Sequence, residues 1–109
     1  MKLLLVVHKN STALDAFVHA VREETLAGVT MIPSTGFGRV GRRSREEFHF
    51  SIRDVLASRY VHNTTLISIV PDERVPRLVE LIEEHIPDIH EPGGGLYAVL
   101  PIDQVGGLD

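Results

Sequence analysis

The 109-residue sequence predicts an α+β domain of ferredoxin-like βαββαβ type, with a four-stranded antiparallel sheet and two helices on one face. Three observations predict it. Short apolar runs, too short for helices, stand at residues 3–7, 29–32, 64–70 and 96–100. Two stretches of helical spacing, one starting near Asn10 and one near Val75, separate them in pairs. Strand–helix–strand therefore occurs twice, over residues 1–38 and 63–105, with a connection between. Interleaving the halves makes strands one and three central and strands two and four edges.

Each element has its own reason. Leu3-Leu4-Leu5-Val6-Val7 is unbroken and apolar, so it reads as a strand covered on both faces. Asn10, Ser11 and Thr12 are good N-cap residues for the first helix. Leu14, Phe17, Val18 and Val21 mark its inner face, and Gly28 is expected to stop it. Val29–Ile32 forms the second strand, and Pro33, with no N–H to give a ladder, places that strand at an edge. Thr64–Val70 is rich in β-branched residues and ends at Pro71-Asp72. Val75, Leu78, Val79, Ile82 and Ile86 line the second helix, which Pro87 ends. After Pro92-Gly93-Gly94-Gly95 comes the last strand, Leu96–Leu100, stopped by Pro101.

Residues 39–62 form an insertion between the halves and read two ways. Phe48, Phe50 and Ile52 alternate as in a strand, while Phe48, Ile52, Val55 and Leu56 make a helical stripe behind a Ser44-x-x-Glu47 capping box. Two helices cover only one face of the sheet, so about half of the first strand's apolar side chains point to the other. Either a symmetric oligomer covers them, or 39–62 folds back over the sheet.

Composition narrows the function. One domain spans 1–109, with 43% hydrophobic and 24% charged residues. A net charge of −4 argues against general nucleic-acid binding, and the absence of cysteine excludes disulfides, thiolate metal sites and cysteine nucleophiles. The longest apolar run is far short of the ~20 residues of a membrane span, and no signal peptide is recognisable. The simplest localisation is cytoplasmic.

Against that acidic balance, Arg39, Arg42, Arg43 and Arg45 cluster behind glycines at 36, 38 and 41. A strand feeding a glycine-rich basic loop offers an anion unshielded backbone N–H groups, with guanidinium groups close behind. The same cluster also suits a solvated loop that protects a sheet edge. Gly36-x-Gly38-x-x-Gly41 matches the dinucleotide-binding fingerprint in form, but not the parallel sheet and early helix that this fingerprint requires.

The opening Met1-Lys2-Leu3-x-x-x-Val7, Gly28-x-Thr30, Gly36-Phe37-Gly38-Arg39 and the closing Val99-Leu100-Pro101-Ile102-Asp103-Gln104 resemble the P-II-type nitrogen-regulatory signal proteins. The matching halves cover about two thirds of the chain. The resemblance implies a homotrimer that binds adenine nucleotides in clefts between subunits, while a long loop docks onto a regulated protein partner. By position, Thr30 would contact the base, Gly36, Phe37 and Gly38 would shape the cleft, and Arg39 would face phosphate. Gly93, Gly94 and Gly95 would give N–H groups to phosphate oxygens. The partner surface would be 39–62, with any membrane reached only through that partner.

Several positions depart from the family pattern. Leu96 and Asn63 stand where the family carries lysines, Val40 where it carries a metal-ligating glutamine, and the tail Val105-Gly106-Gly107-Leu108-Asp109 is not basic. The modified loop tyrosine has no counterpart. The expected ligand is therefore an anion of different or smaller charge, such as a nucleotide with fewer phosphates or a cyclic nucleotide.

Two other readings compete. Histidines 8, 19, 49, 62, 85 and 90 admit a metal site, with His85, His90 and Asp88 as the nearest grouping, as in the trimeric copper-tolerance proteins of the CutA type. A small ferredoxin-like enzyme is the third reading, but Asp54, Asp72 and Glu73 lack a partner nucleophile or histidine at a telling spacing. The expected protein is not an enzyme.

Overall fold

The computed structural model describes residues 1–9, 11–36 and 61–108, with Val61 described by its backbone alone. Its elements are β1 (Lys2–His8), α1 (Ser11–Glu23), β2 (Thr30–Gly36), β3 (Val61–Val70), α2 (Val75–His85) and β4 (Leu96–Pro101). The sheet order is β2-β3-β1-β4, antiparallel throughout. This is the ferredoxin-like arrangement, with the two long apolar strands in the middle.

Register explains the burial. Lys2 pairs with Val70 and His8 with Thr64, so Leu4, Val6 and His8 share a face with Leu66, Ser68 and Val70. All six are buried. Leu14, Phe17 and Val21 of α1 and Leu78, Leu81 and Ile82 of α2 close over that face, joined by Ile86 and Ile89. The two helices are tied at their ends where the Arg77 guanidinium grips both Glu24 carboxylate oxygens and also reaches Glu80.

The other face carries Leu3, Leu5 and Val7 beside Leu100, Ala98 and Leu96 of β4 and Ile69 and Ile67 of β3. No helix among the described residues covers it. Leu96 is 49% exposed, and Leu100 and Ile32 are each 41% exposed.

Several boundaries differ from the expectation. α1 ends at Glu23, before Gly28, because Thr25 takes the left-handed turn itself at φ 53°. Thr25 N–H bonds to Arg22 O and Leu26 N–H to Val21 O, each at 3.0 Å, the paired closure of a Schellman motif. β2 continues through Pro33 to Gly36, since an edge strand tolerates a missing donor. β3 begins at Val61, so residues 61 and 62 belong to the sheet and not to the insertion. Pro101 is the last residue of β4, and Asp72–Arg74 form a 3-10 turn ahead of α2. The two readings of 39–60 lie outside the described residues.

A β-branched residue at positive φ is strained, whereas glycine enters that region freely. Thr25→Gly is therefore expected to raise stability by about 0.5–1 kcal/mol, after the entropy glycine loses on folding. Urea unfolding at constant slope checks this, and a lowered midpoint would refute the strain.

Candidate ligand-binding site

β2 ends, β3 begins, β1 ends and β4 begins at one end of the sheet. Gly36 pairs with Val61, His8 with Thr64, and Val7 with Leu96. The two glycine segments therefore leave the same end, from the two outer strands. Three strand spacings of ~4.8 Å put about 14 Å between those strands. Phe37, Gly38 and Arg39 lie outside the described residues.

Thr30 is elsewhere. It pairs with Ile67, six residues back along β2 from Gly36, or about 20 Å at ~3.3 Å per residue. It lines a cavity of about 520 Å³ between the α1–β2 connection, β3 and the C-terminal segment, with Leu26, Gly28, Ile69, Arg74 and Leu108 in the wall. Arg74 Nη1 donates to Leu26 O and Ser68 Oγ to Gly28 O, each at 2.6 Å. These bonds fix the backbone of that wall. Two of its polar side chains, Ser68 and Arg74, are engaged with carbonyls, so the arrangement suits binding more than bond-making.

The Gly93–Gly95 segment is held by close packing. A Cβ at Gly94 would lie 1.7 Å from Asp88 O, and one at Gly95 would lie 2.1 Å from Val7 O and 3.1 Å from the His8 ring. Gly93 and Gly95 also have φ of 80° and 105°. The inner anchor is His8, fully buried, whose Nε2 lies 3.0 Å from Asp88 Oδ1. The outer anchor joins three elements: His90 Nε2 lies 2.7 Å from Glu83 Oε1, and Tyr97 donates to the same oxygen at 3.2 Å. The His90 hydrogen bond, with help from Tyr97, holds the Glu83 carboxyl below its ordinary range. Burial, then Glu83, pushes the Tyr97 hydroxyl up.

At the other glycine, a Cβ on Gly36 would lie 2.6 Å from Asn63 Nδ2. Beside it, the Ser34 and Thr65 hydroxyls are hydrogen-bonded at 2.8 Å.

The metal grouping that the competing reading placed at His85, Asp88 and His90 does not form, because Asp88 is bound to His8 and His90 to Glu83. Among the described residues no group of three His, Cys, Asp or Glu side chains could hold a metal ion. No described helix is long and apolar enough to cross a membrane. The histidine–carboxylate anchors escaped the sequence reading. His8 and Asp88 are 80 positions apart, and the only sign was a histidine closing an apolar strand.

The family model described as nitrogen regulatory protein P-II matches residues 1–108. No curated protein matches. Among solved structures, the crystal structure of a DUF3240 family protein from Shewanella baltica OS155 is similar, with a TM-score of 0.64 and 21% identity. The match covers 99% of this chain and 97% of that one, and at this identity it speaks for the fold.

Gly94→Ala is expected to cost at least about 2 kcal/mol, since the clash is with backbone that cannot rotate away. Gly106→Ala, where a Cβ meets nothing within 4 Å, is the matched control. Equal urea midpoints for the two variants would refute the close packing.

Proposed function

This chain belongs to the nitrogen regulatory protein P-II family, and from that premise we propose that it senses a small anionic ligand, an adenine nucleotide, in clefts between the subunits of a homotrimer. Occupancy of the cleft changes the surface that 39–60 presents to a regulated partner. The family membership supports a P-II-like signalling role in general.

The observation that supports it is the separation of the two half-sites. Thr30 and its cavity lie about 20 Å along β2 from Gly36, too far for one mononucleotide to bridge within a chain. A neighbouring copy that brings its Thr30 cavity to this chain's glycine end would complete the site. The uncovered apolar face supplies a reason for copies to associate, since burying a Leu or Ile side chain is worth about 1.5–3 kcal/mol. Gly36–Arg39 would then grip the phosphate of a ligand whose base sits against Thr30, with Gly93–Gly95 closing the same end.

A panel of AMP, ADP, ATP and cyclic AMP, read by thermal shift and calorimetry, tests this. Ligand at 100 times its Kd is expected to add about 2.7 kcal/mol, visible as a rise of several degrees. Arg39→Ala is expected to lower affinity at least tenfold while leaving the unliganded melting temperature unchanged. Sedimentation should give three chains per particle. No stabilisation by any member of the panel would sink the nucleotide reading, and a monomer would sink the shared cleft.

A further inference from the structure

Arg74 and Arg77 both hold the connection that leaves α1, but their guanidinium groups are used differently. Arg77 gives Nε and Nη2 to the two oxygens of Glu24, and Nη1 to Glu80. Its fork is filled by protein carboxylates. Arg74 gives Nη1 to Leu26 O at 2.6 Å and enters no ion pair among the described residues. Its Nε–Nη2 edge, the same edge that takes Glu24 on Arg77, has no partner among the described residues. Asp72, two residues away, is committed to the N-terminal ammonium at 2.8 Å and to Lys2.

This open edge belongs to a residue in the wall of the cavity of about 520 Å³. The cavity has a cause in the strand lengths. Pairing of β2 with β3 starts at Thr30 and Ile67, whereas β3 runs on to Val70. Residues 68–70 therefore have no strand beside them on the side away from β1. The connection before β2 passes there instead, tied by the bond from Ser68 Oγ to Gly28 O. Leu26, Val29, Ile67, Ile69 and Leu108 make the lining largely apolar, and the Thr30 hydroxyl in it has no hydrogen-bond partner among the described residues. An apolar hollow of about 300–1,000 Å³ with a few polar groups is the usual form of a small-molecule site.

We infer that this cavity is a site for a small apolar carboxylic acid, whose carboxylate is held by the Nε–Nη2 edge of Arg74 and whose hydrocarbon part lies against Ile67, Ile69 and Leu108. The chemistry selects that class. Arginine offers only donors, in a planar fork that matches the two oxygens of a carboxylate. A neutral amide presents one acceptor to the same edge and forgoes the charge-assisted pair. An anion of higher charge would bring into an apolar lining more charge than one guanidinium neutralises. The site is complete within one chain, so it needs neither the nucleotide nor the trimer proposed above. It meets them at one point: the acid competes with any base that occupies the same cavity, and that clause alone rests on the proposed function.

The test uses 3-phenylpropionate at neutral pH, with 3-phenylpropanamide and acetate as comparison compounds, read by calorimetry and by amide resonances. The acid is expected to shift the amides of Gly28, Thr30 and Ile69, and to bind at least about tenfold more tightly than either comparison compound. Arg74→Gln is expected to abolish the advantage of acid over amide. Should that variant fail to fold, Arg74→Lys, which keeps the cation and removes the fork, should lower the advantage in the same direction. Leu108→Ser, at a tail position that is half exposed, is expected to weaken acid and amide alike. No binding of the acid, equal binding of acid and amide, or an advantage that survives in Arg74→Gln overturns the proposal. So does a loss of acid and amide together in Arg74→Gln, which would mark Arg74 as a support of the wall alone. Acid that binds while no nucleotide does supports the site and sinks the nucleotide reading. Acid that binds without displacing AMP supports the site and removes the base from the cavity.

Discussion

β1 is apolar on both faces, but the described structure provides helices for only one. Leu4 and Val6 disappear under α1 and α2, while Leu3, Leu5 and Val7 remain half-buried on the opposite side. The imbalance is not confined to one strand. Antiparallel register carries it across the sheet, through Ile67 and Ile69 on one side and Leu96 and Leu100 on the other. A half-buried apolar strand at a sheet edge can be trimmed by polar substitution. One at the centre cannot, because its pairing on both sides fixes which residues share its face. The rest of the architecture follows from that constraint: a closed, well-packed core on one side and a surface that favours association on the other.

The glycines illustrate how one residue type can satisfy two demands. Glycine before a strand reads as an anion cradle because it leaves backbone N–H groups bare. The fold gives a separate reason: Gly94 and Gly95 are pressed against Asp88 O, Val7 O and the His8 ring, where no Cβ fits. Packing alone therefore accounts for glycine at 94 and 95. The case for a ligand rests on placement, since both glycine segments leave the same end of the sheet. The Gly94 N–H is already given to Glu91 O at 2.8 Å, so any donor offered to an anion comes from elsewhere in the segment.

The fold was legible because its signals are local and repeated. Five apolar residues in a row identified the central strand, Pro33 identified an edge, and the 3–4 spacing of Leu14, Phe17 and Val21 identified a buried helix face. What the sequence hid was contact between distant or unusual residues. Thr25 ends α1 in a conformation normally assigned to glycine, so Gly28 drew the boundary too late. Asp88 looked like a metal-site companion of His85 and His90 by proximity in the chain. Its actual partner lies 80 residues away, brought there by the pairing of β1 with β4. Thr30 and Gly36 belong to one strand and looked like one site, yet extended chain separates them at ~3.3 Å per residue.

That last separation constrains any assembly that would unite the two halves. If one copy contributes the Thr30 cavity and another the glycine end, the contact joins unlike surfaces, because these lie about 20 Å apart on the same molecule. A two-fold axis can bring unlike surfaces together only in a reciprocal pair, which would place both sites against the same axis. Repetition of one unlike contact instead generates either a closed ring or an open filament. A ring leaves no half-site unfilled, so it has as many complete clefts as chains. It also turns the uncovered faces of β1 and β4 toward a shared axis if those faces make the contact. Closure would thus solve the apolar imbalance of the sheet and the division of the site with a single interface.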